Sequence, residues 1–173
     1  MMYKMKGILF GIMALLFQFS VAQNETPQVS FQVKKGFSTV KGTFEKVDYT
    51  IDLSSATPSA QGKAEIRSIS TGNSRRDAHL QTENWFFAEK YPTVDVRSQR
   101  ITKQSDGLYT GTFEIDIKGT KEVKEITFEV VEEAGKKVLK TEFELSLKTF
   151  HIGSGILKSL IGDTVKVKVA LPF

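Results

Sequence analysis

The chain predicts an all-β fold of consecutive antiparallel strands with one short helix inserted, at about residues 74–87. Three observations carry that prediction. Apolar and polar residues alternate with a period of two in about eight segments. Turn signals such as Ser105-Asp106-Gly107 and Ala134-Gly135 fall between those segments. A single stretch, Thr71 to Pro92, breaks the alternation and reads as a helix followed by an aromatic cluster. Consecutive strands with one apolar face close into an up-and-down barrel or pack as a sandwich.

The elements follow in order. Val29, Phe31 and Val33 share a face opposite Ser30, Gln32 and Lys34. A long strand then starts at Phe37, with Val40, Gly42 and Phe44 on one side. At Glu45-Lys46 the apolar parity slips to Val47, Tyr49, Ile51 and Leu53, which predicts a bulge or bend. Ala64 and Ile66 oppose Lys63, Glu65 and Arg67. In the insertion, Asn73 or Ser74 is an N-cap and Asp77 lies in the first turn, where the helix dipole favours negative charge. Trp85, Phe86 and Phe87 fall at its end, and Pro92 restricts Tyr91 to extended backbone. Val94, Val96 and Ser98 form the next set, then Tyr109, Gly111, Phe113, Ile115 and Ile117, then Ile126, Phe128 and Val130. Leu139, Thr141, Phe143, Leu145 and Leu147 precede a Gly-rich stretch from His151 to Gly162, read as a short helix or a loop. Val165, Val167, Val169 and Leu171 end the series.

The first 22 residues read as a secretory leader and are set apart from the fold. Lys4 and Lys6 make its basic start, Gly7 to Phe19 its apolar run, and Ser20-Val21-Ala22 a small-residue cleavage site before Gln23. The expected domain is therefore 23–173, exported to a periplasm or out of the cell. The chain holds 24 Lys and Arg against 20 Asp and Glu; Lys4 and Lys6 lie in the leader, which leaves 22 against 20. Basic residues alternate with acidic ones and form no stripe, so nucleic-acid binding is not expected. With no cysteine there is no disulfide framework, thiolate metal site or cysteine nucleophile. Alternation alone does not say which face is inside, and an outer-membrane barrel carries its apolar face outward. Dense opposed charges on the polar faces would then crowd a narrow lumen, so the apolar faces are assigned inward.

Little catalytic chemistry is visible. The two histidines, His79 and His151, lie in distant segments, and neither a metal site nor a cofactor is expected. His79 reads as structural, bonding a strand carbonyl or Asp77. Gly153-Ser154-Gly155 is not a nucleophile elbow, and no phosphate-cradling glycine loop occurs. A small barrel is just wide enough to be filled by side chains or to hold one small ligand. Trp85 and Phe86 therefore either complete a core or cap a cavity.

Several spaced motifs settle on a known pattern. Asn73, then Arg76-Asp77-x-His79-Leu80, Trp85-Phe86 and Glu89-Lys90-Tyr91-Pro92 closely resemble the signature of the YceI-like family. Val29-x-Phe31-x-Val33-Lys34, Ser38 to Phe44, Ile117-Lys118-Gly119, Thr149-Phe150-x-Ile152-Gly153 and Ile161-Gly162-Asp163-x-Val165 fall in place around it, from roughly Gln28 to Ala170. The resemblance implies an eight-stranded antiparallel, lipocalin-like barrel with an elongated apolar cavity that binds a polyisoprenoid, a quinone-like molecule or another long lipid, with no catalytic residue. It departs from the pattern at Lys35, where a histidine is usual, and at Glu122, where a proline is usual.

The expected function is non-enzymatic binding or carriage of such a lipid in the bacterial envelope, with transient contact to a membrane surface. The expected cavity residues are Phe31, Val33, Val40, Phe44, Ala64, Ile66, Val94, Val96, Phe113, Ile115, Phe128, Phe143, Leu145, Val167 and Val169, with Trp85 and Phe86 at the capped end. No charged residue is assigned to those inward faces. Asn73, Arg76, Asp77, His79 and Leu80 form a polar clasp that holds the insertion in place. The alternative is a filled barrel that docks an envelope partner.

Overall fold

A computed structural model describes residues 26–153 and 161–173. The expected leader and the middle of the Gly-rich stretch lie outside these residues. Among the described residues ten strands form: β1 (Gln28–Lys35), β2 (Ser38–Phe44), β3 (Val47–Asp52), β4 (Ser59–Glu65), β5 (Ile69–Ser70), β6 (Thr93–Ser105), β7 (Leu108–Ile117), β8 (Thr120–Glu133), β9 (Lys136–Ser146) and β10 (Ile161–Pro172). One helix, α1 (Ser74–Leu80), follows β5. All strand pairs are antiparallel, in the order β3-β4-β6-β7-β8-β9-β10-β1-β2-β5.

The count of ten corrects the eight expected. The strand starting at Phe37 breaks into β2 and β3 at Glu45-Lys46, where the apolar parity slips. Its neighbour breaks into β4 and β5 around a 3-10 turn, Ile66–Ser68. Hydrogen bonds from Glu45 N to Ser68 O (3.1 Å) and from Glu65 N to Lys46 O (3.0 Å) hold the two breaks together. β2 pairs with β5 and β3 with β4, so this bent ribbon supplies both ends of the strand order. The sheet is thereby curled on itself into a barrel-like body.

Turn chemistry sets the hairpins. Lys118-Gly119 and Ala134-Gly135 both have positive φ at each residue, the twist that two-residue hairpin turns require. β6 runs beyond the expected Ser98 because its register shifts between Ser98 and Arg100, and the slip turns Ile101 into the core. Ile115, Phe128, Phe150 and Ile66 are the most deeply buried side chains. Most charged strand side chains lie outside, as in the Lys168–Glu142 pair at 2.8 Å across β10 and β9. Apolar-in and charged-out is the reverse of a membrane-spanning barrel.

The helix is shorter than the expected 74–87. Asn73 caps it, its side-chain oxygen accepting from Arg76 N at 3.0 Å. After Leu80 the chain turns: Thr82 donates to the His79 carbonyl through both its hydroxyl (2.7 Å) and its backbone N–H (3.2 Å), and Phe86 N donates to Leu80 O (3.1 Å). Phe87 has φ +52, which a right-handed helix cannot contain.

At the opposite end, Tyr49 on β3 donates its hydroxyl to Pro172 O on β10 at 2.6 Å. β1 begins only at Gln28, paired with Ala170, so this bond joins two strands that are not sheet neighbours. Burial raises the Tyr49 pKa above its ordinary value, against the opposing field of Lys136. A proton held more tightly in the folded state stabilises it below the unfolded-state pKa of about 10, and that contribution disappears as pH rises through the folded-state value. Tyr49→Phe is expected to cost about 1–2 kcal/mol near neutral pH and to flatten the loss of stability above about pH 10. Urea melts of both proteins across that range check it.

Candidate functional site

The inward faces enclose an apolar cavity of about 220 Å³. Its wall includes Phe31 and Val33 from β1, Phe44 from β2, Ala64 from β4, Val94 and Val96 from β6, and Phe113 and Ile115 from β7. Phe128 from β8, Phe143 and Leu145 from β9, Val167 and Val169 from β10, and Phe86 from the insertion complete that part of it. Val40, Ile66 and Trp85 are not on the wall. Ile66 is buried in the 3-10 turn that bends its strand, so it leaves the inward row. Trp85 packs edge-on against His79 (5.7 Å between ring centres) and lies 3.4 Å from the Cβ position of Gly153. It belongs to the core under the cap.

The wall also holds residues not nominated from sequence. Val47 and Ile51 follow the break in the ribbon, and Leu139, Val165 and Leu171 extend rows already visible as alternation. Ile152 comes from a segment with no periodicity; only the fold brings it to the wall.

Two inward aromatic rings need glycine beneath them. A Cβ on Gly42 would come within 2.4 Å of the Phe31 ring, and one on Gly111 within 2.5 Å of the Phe113 ring. Gly42 faces Phe31 directly in the β1–β2 register. Glycine thus lets the Phe31 ring lie over the neighbouring β2 and the Phe113 ring lie back along its own strand.

The expected clasp exists in altered form. Arg76 Nε donates to Thr71 Oγ1 (2.7 Å) and Arg76 Nη2 to Thr71 O (2.7 Å). Asp77 Oδ1 accepts from Thr71 N at 3.0 Å and from the Thr71 hydroxyl. The Thr71 methyl in turn sits 2.9 Å from the Cβ position of Gly42 on β2. The clasp therefore ties α1 to the chain leaving β5, and through it to β2. His79 has no part in it: its ring bonds neither Asp77 nor a strand carbonyl among the described residues. It is exposed and does not line the cavity. A second tie runs from Lys118 Nζ to Glu83 O (2.8 Å) and from Gly153 N to Asn84 O (3.0 Å), joining the cap to the β7–β8 turn and the segment after β9. Asp77→Ala is expected to cost about 1–3 kcal/mol, because it leaves two donors of Thr71 unmet. Faster amide exchange confined to residues 71–88 in the variant checks it.

One expectation about the inward faces is overturned. Glu122 and Lys124 lie opposite Ile115 and Phe113 in the β7–β8 register, and directly opposed residues share a face. Both therefore point inward, 3.9 Å apart, with about a quarter to a third of each side chain exposed. Strand parity shows them in the same row as Ile126 and Phe128, but that row was read only from its apolar members. Among the described residues no group of His, Asp or Glu is placed to hold a metal ion.

The fold and site together define a barrel-like β protein built round an apolar interior. The YceI-like domain model matches residues 21–173, and the chain belongs to that family. It is 28% identical over 141 residues to protein YceI of Salmonella arizonae, covering 72% of this chain and 70% of that protein. To the UPF0312 protein plu2095 of Photorhabdus laumondii it is 28% identical over 96 residues, 53% of this chain; the match spans about half, 49%, of that relative's length. Among solved structures, BcnA of Burkholderia cenocepacia superposes with a TM-score of 0.78 at 24% identity, covering 85% of this chain and 96% of BcnA. A polyisoprenoid binding domain from Saccharophagus degradans gives 0.70 at 18% identity, with 83% and 91% covered. These likenesses show the fold.

Proposed function

We propose that this protein binds and carries a long apolar lipid, of polyisoprenoid or quinone type, in the bacterial envelope and performs no chemistry on it. The observation that carries this reading is the cavity: a lumen walled by aliphatic and aromatic side chains from nearly every strand. The Saccharophagus degradans domain, whose name records polyisoprenoid binding, supports it by shared fold. Each CH₂ group moved from water into such a lumen contributes about 0.8 kcal/mol, so affinity grows with chain length. In this reading the two broken strands each act as one bent strand of an eight-membered, lipocalin-like barrel. The 1–22 leader, cut after Ala22, delivers it to the periplasm or beyond. Brief contact with a membrane surface belongs to the same reading, and the fully exposed Phe37 at the β1–β2 turn, flanked by exposed Lys34 and Lys35, suits it.

Native mass spectrometry of the mature protein purified from its own host tests the reading. A reproducible mass increment that resolves into an apolar lipid on extraction is the expected result. Repeated lipid-free preparations would reject carriage in favour of a filled barrel that docks an envelope partner.

A further inference from the structure

The inward pair Glu122–Lys124 has a feature that packing does not account for. Glu122 Oε2 is buried, yet it has no hydrogen-bond partner among the described residues. Leaving a carboxylate oxygen in that state costs free energy, and such atoms in a folded protein call for an explanation. Lys124 Nζ approaches the other oxygen, Oε1, only to 3.9 Å, too far for a hydrogen bond.

The position of the pair supplies the explanation. Ile115 and Phe113, its partners on β7, are cavity-wall residues, and so is Ile126, two residues further along β8. β8 and β9 pair only from Glu129 to Glu133 against Lys136 to Lys140. Beyond that the two strands are no longer register partners, and the Thr141 hydroxyl donates to Thr127 O (2.8 Å) just past the paired stretch. The pair thus shares the inner face with that wall, next to the residues that line the cavity and not itself on the lining.

We infer that Glu122 and Lys124 hold the polar head of the bound lipid, and that this head is an uncharged hydroxyl. This rests on the lipid-binding reading above and specifies it. A hydroxyl satisfies both groups at once: its O–H donates to the unpartnered Glu122 oxygen, and its oxygen accepts from the Lys124 ammonium. A phosphate head has acceptors only and would bring its negative charge against the carboxylate. A bare hydrocarbon end would leave the Glu122 oxygen as it stands.

The test uses purified, solvent-extracted protein and three probes of one chain length: geranylgeraniol, geranylgeranyl monophosphate and the corresponding C20 hydrocarbon. Binding is read by displacement of a fluorescent apolar probe from the lumen. The alcohol is expected to bind about tenfold or more tighter than either of the others, the scale of a hydrogen bond to a charged group. Glu122→Leu and Lys124→Met should each lower the alcohol's affinity towards that of the hydrocarbon, with the hydrocarbon's own affinity unchanged. Tighter binding of the phosphate, or equal loss for alcohol and hydrocarbon in Glu122→Leu, would overturn the inference while leaving lipid binding standing. Failure of all three ligands and of the fluorescent probe to bind would reject the cavity's role itself. Thermal melts confirm that both variants fold.

Discussion

Replacing Ala64 with Trp is expected to abolish lipid binding and leave the fold in place. Ala64 is a small residue on the cavity wall, held between Val47 of β3 and Val94 of β6 in the strand register. An indole at that position projects into the lumen and takes the space of a stretch of lipid chain. Displacing about five CH₂ groups removes roughly 4 kcal/mol of transfer free energy, about a thousandfold in affinity. Overpacking a filled core costs about 1–3 kcal/mol, but here the added ring enters existing space, so the penalty falls at the low end. Lipid recovered per mole of purified protein, measured beside a thermal melt, decides the matter. Undiminished lipid in a well-folded variant would show that the cargo does not occupy this lumen.

The second large effect concerns stability. Phe128→Ala is expected to destabilise the protein by about 3–5 kcal/mol, the usual range for a fully buried Phe. The Phe128 ring is 2% exposed and stacks on Tyr109 with centres 5.3 Å apart and planes 6° apart. It also meets the Phe113 ring edge-on at 6.2 Å. The three rings tie β7 to β8 on the inner face, and truncating the central one enlarges the lumen and removes both ring contacts. For a domain of this size the melting temperature should drop by about 10 °C. A drop of only a degree or two would mean that the sheet relaxes into the space, and that the aromatic row is not the stability centre of the barrel.

Much of this architecture was legible as alternation. Rows such as Phe113-Ile115-Ile117 and Val165-Val167-Val169 have one polar neighbour between each apolar pair, and a period of two fixes their common face whatever the tertiary fold. The bend at Glu45-Lys46 was readable for the same reason, since a bulge moves the apolar parity by one residue. The end of α1 was not. The apolar residues at Trp85, Phe86 and Phe87 suggested continuation, whereas the hydroxyl of Thr82 and the positive φ of Phe87 stop the helix at Leu80. Those are local conformational choices that composition leaves open.

The interior shows the same division. Inward assignment of Phe31, Phe44 and Phe143 follows from parity, because apolar side chains on one face of a strand must leave water together. Parity equally places Glu122 and Lys124 inward, yet a charge in an apolar row reads as a strand end until the register sets it opposite Ile115 and Phe113. Trp85 and Ile152 carry no periodic signal; where each packs depends on how the cap folds over the barrel mouth.

The sequence alone determined that the chain is all-β, which faces are apolar, where the ribbon bends and which family motifs it carries. These are properties of neighbours a few residues apart, and short-range chemistry suffices to set them. The tertiary structure decided that the apolar faces enclose a space rather than fill it, that Trp85 is core while Phe86 is wall, and that β8 and β9 stop pairing at Glu129. Each depends on distances between segments remote in the chain, set by how the sheet curls and how its register closes, which no single strand encodes.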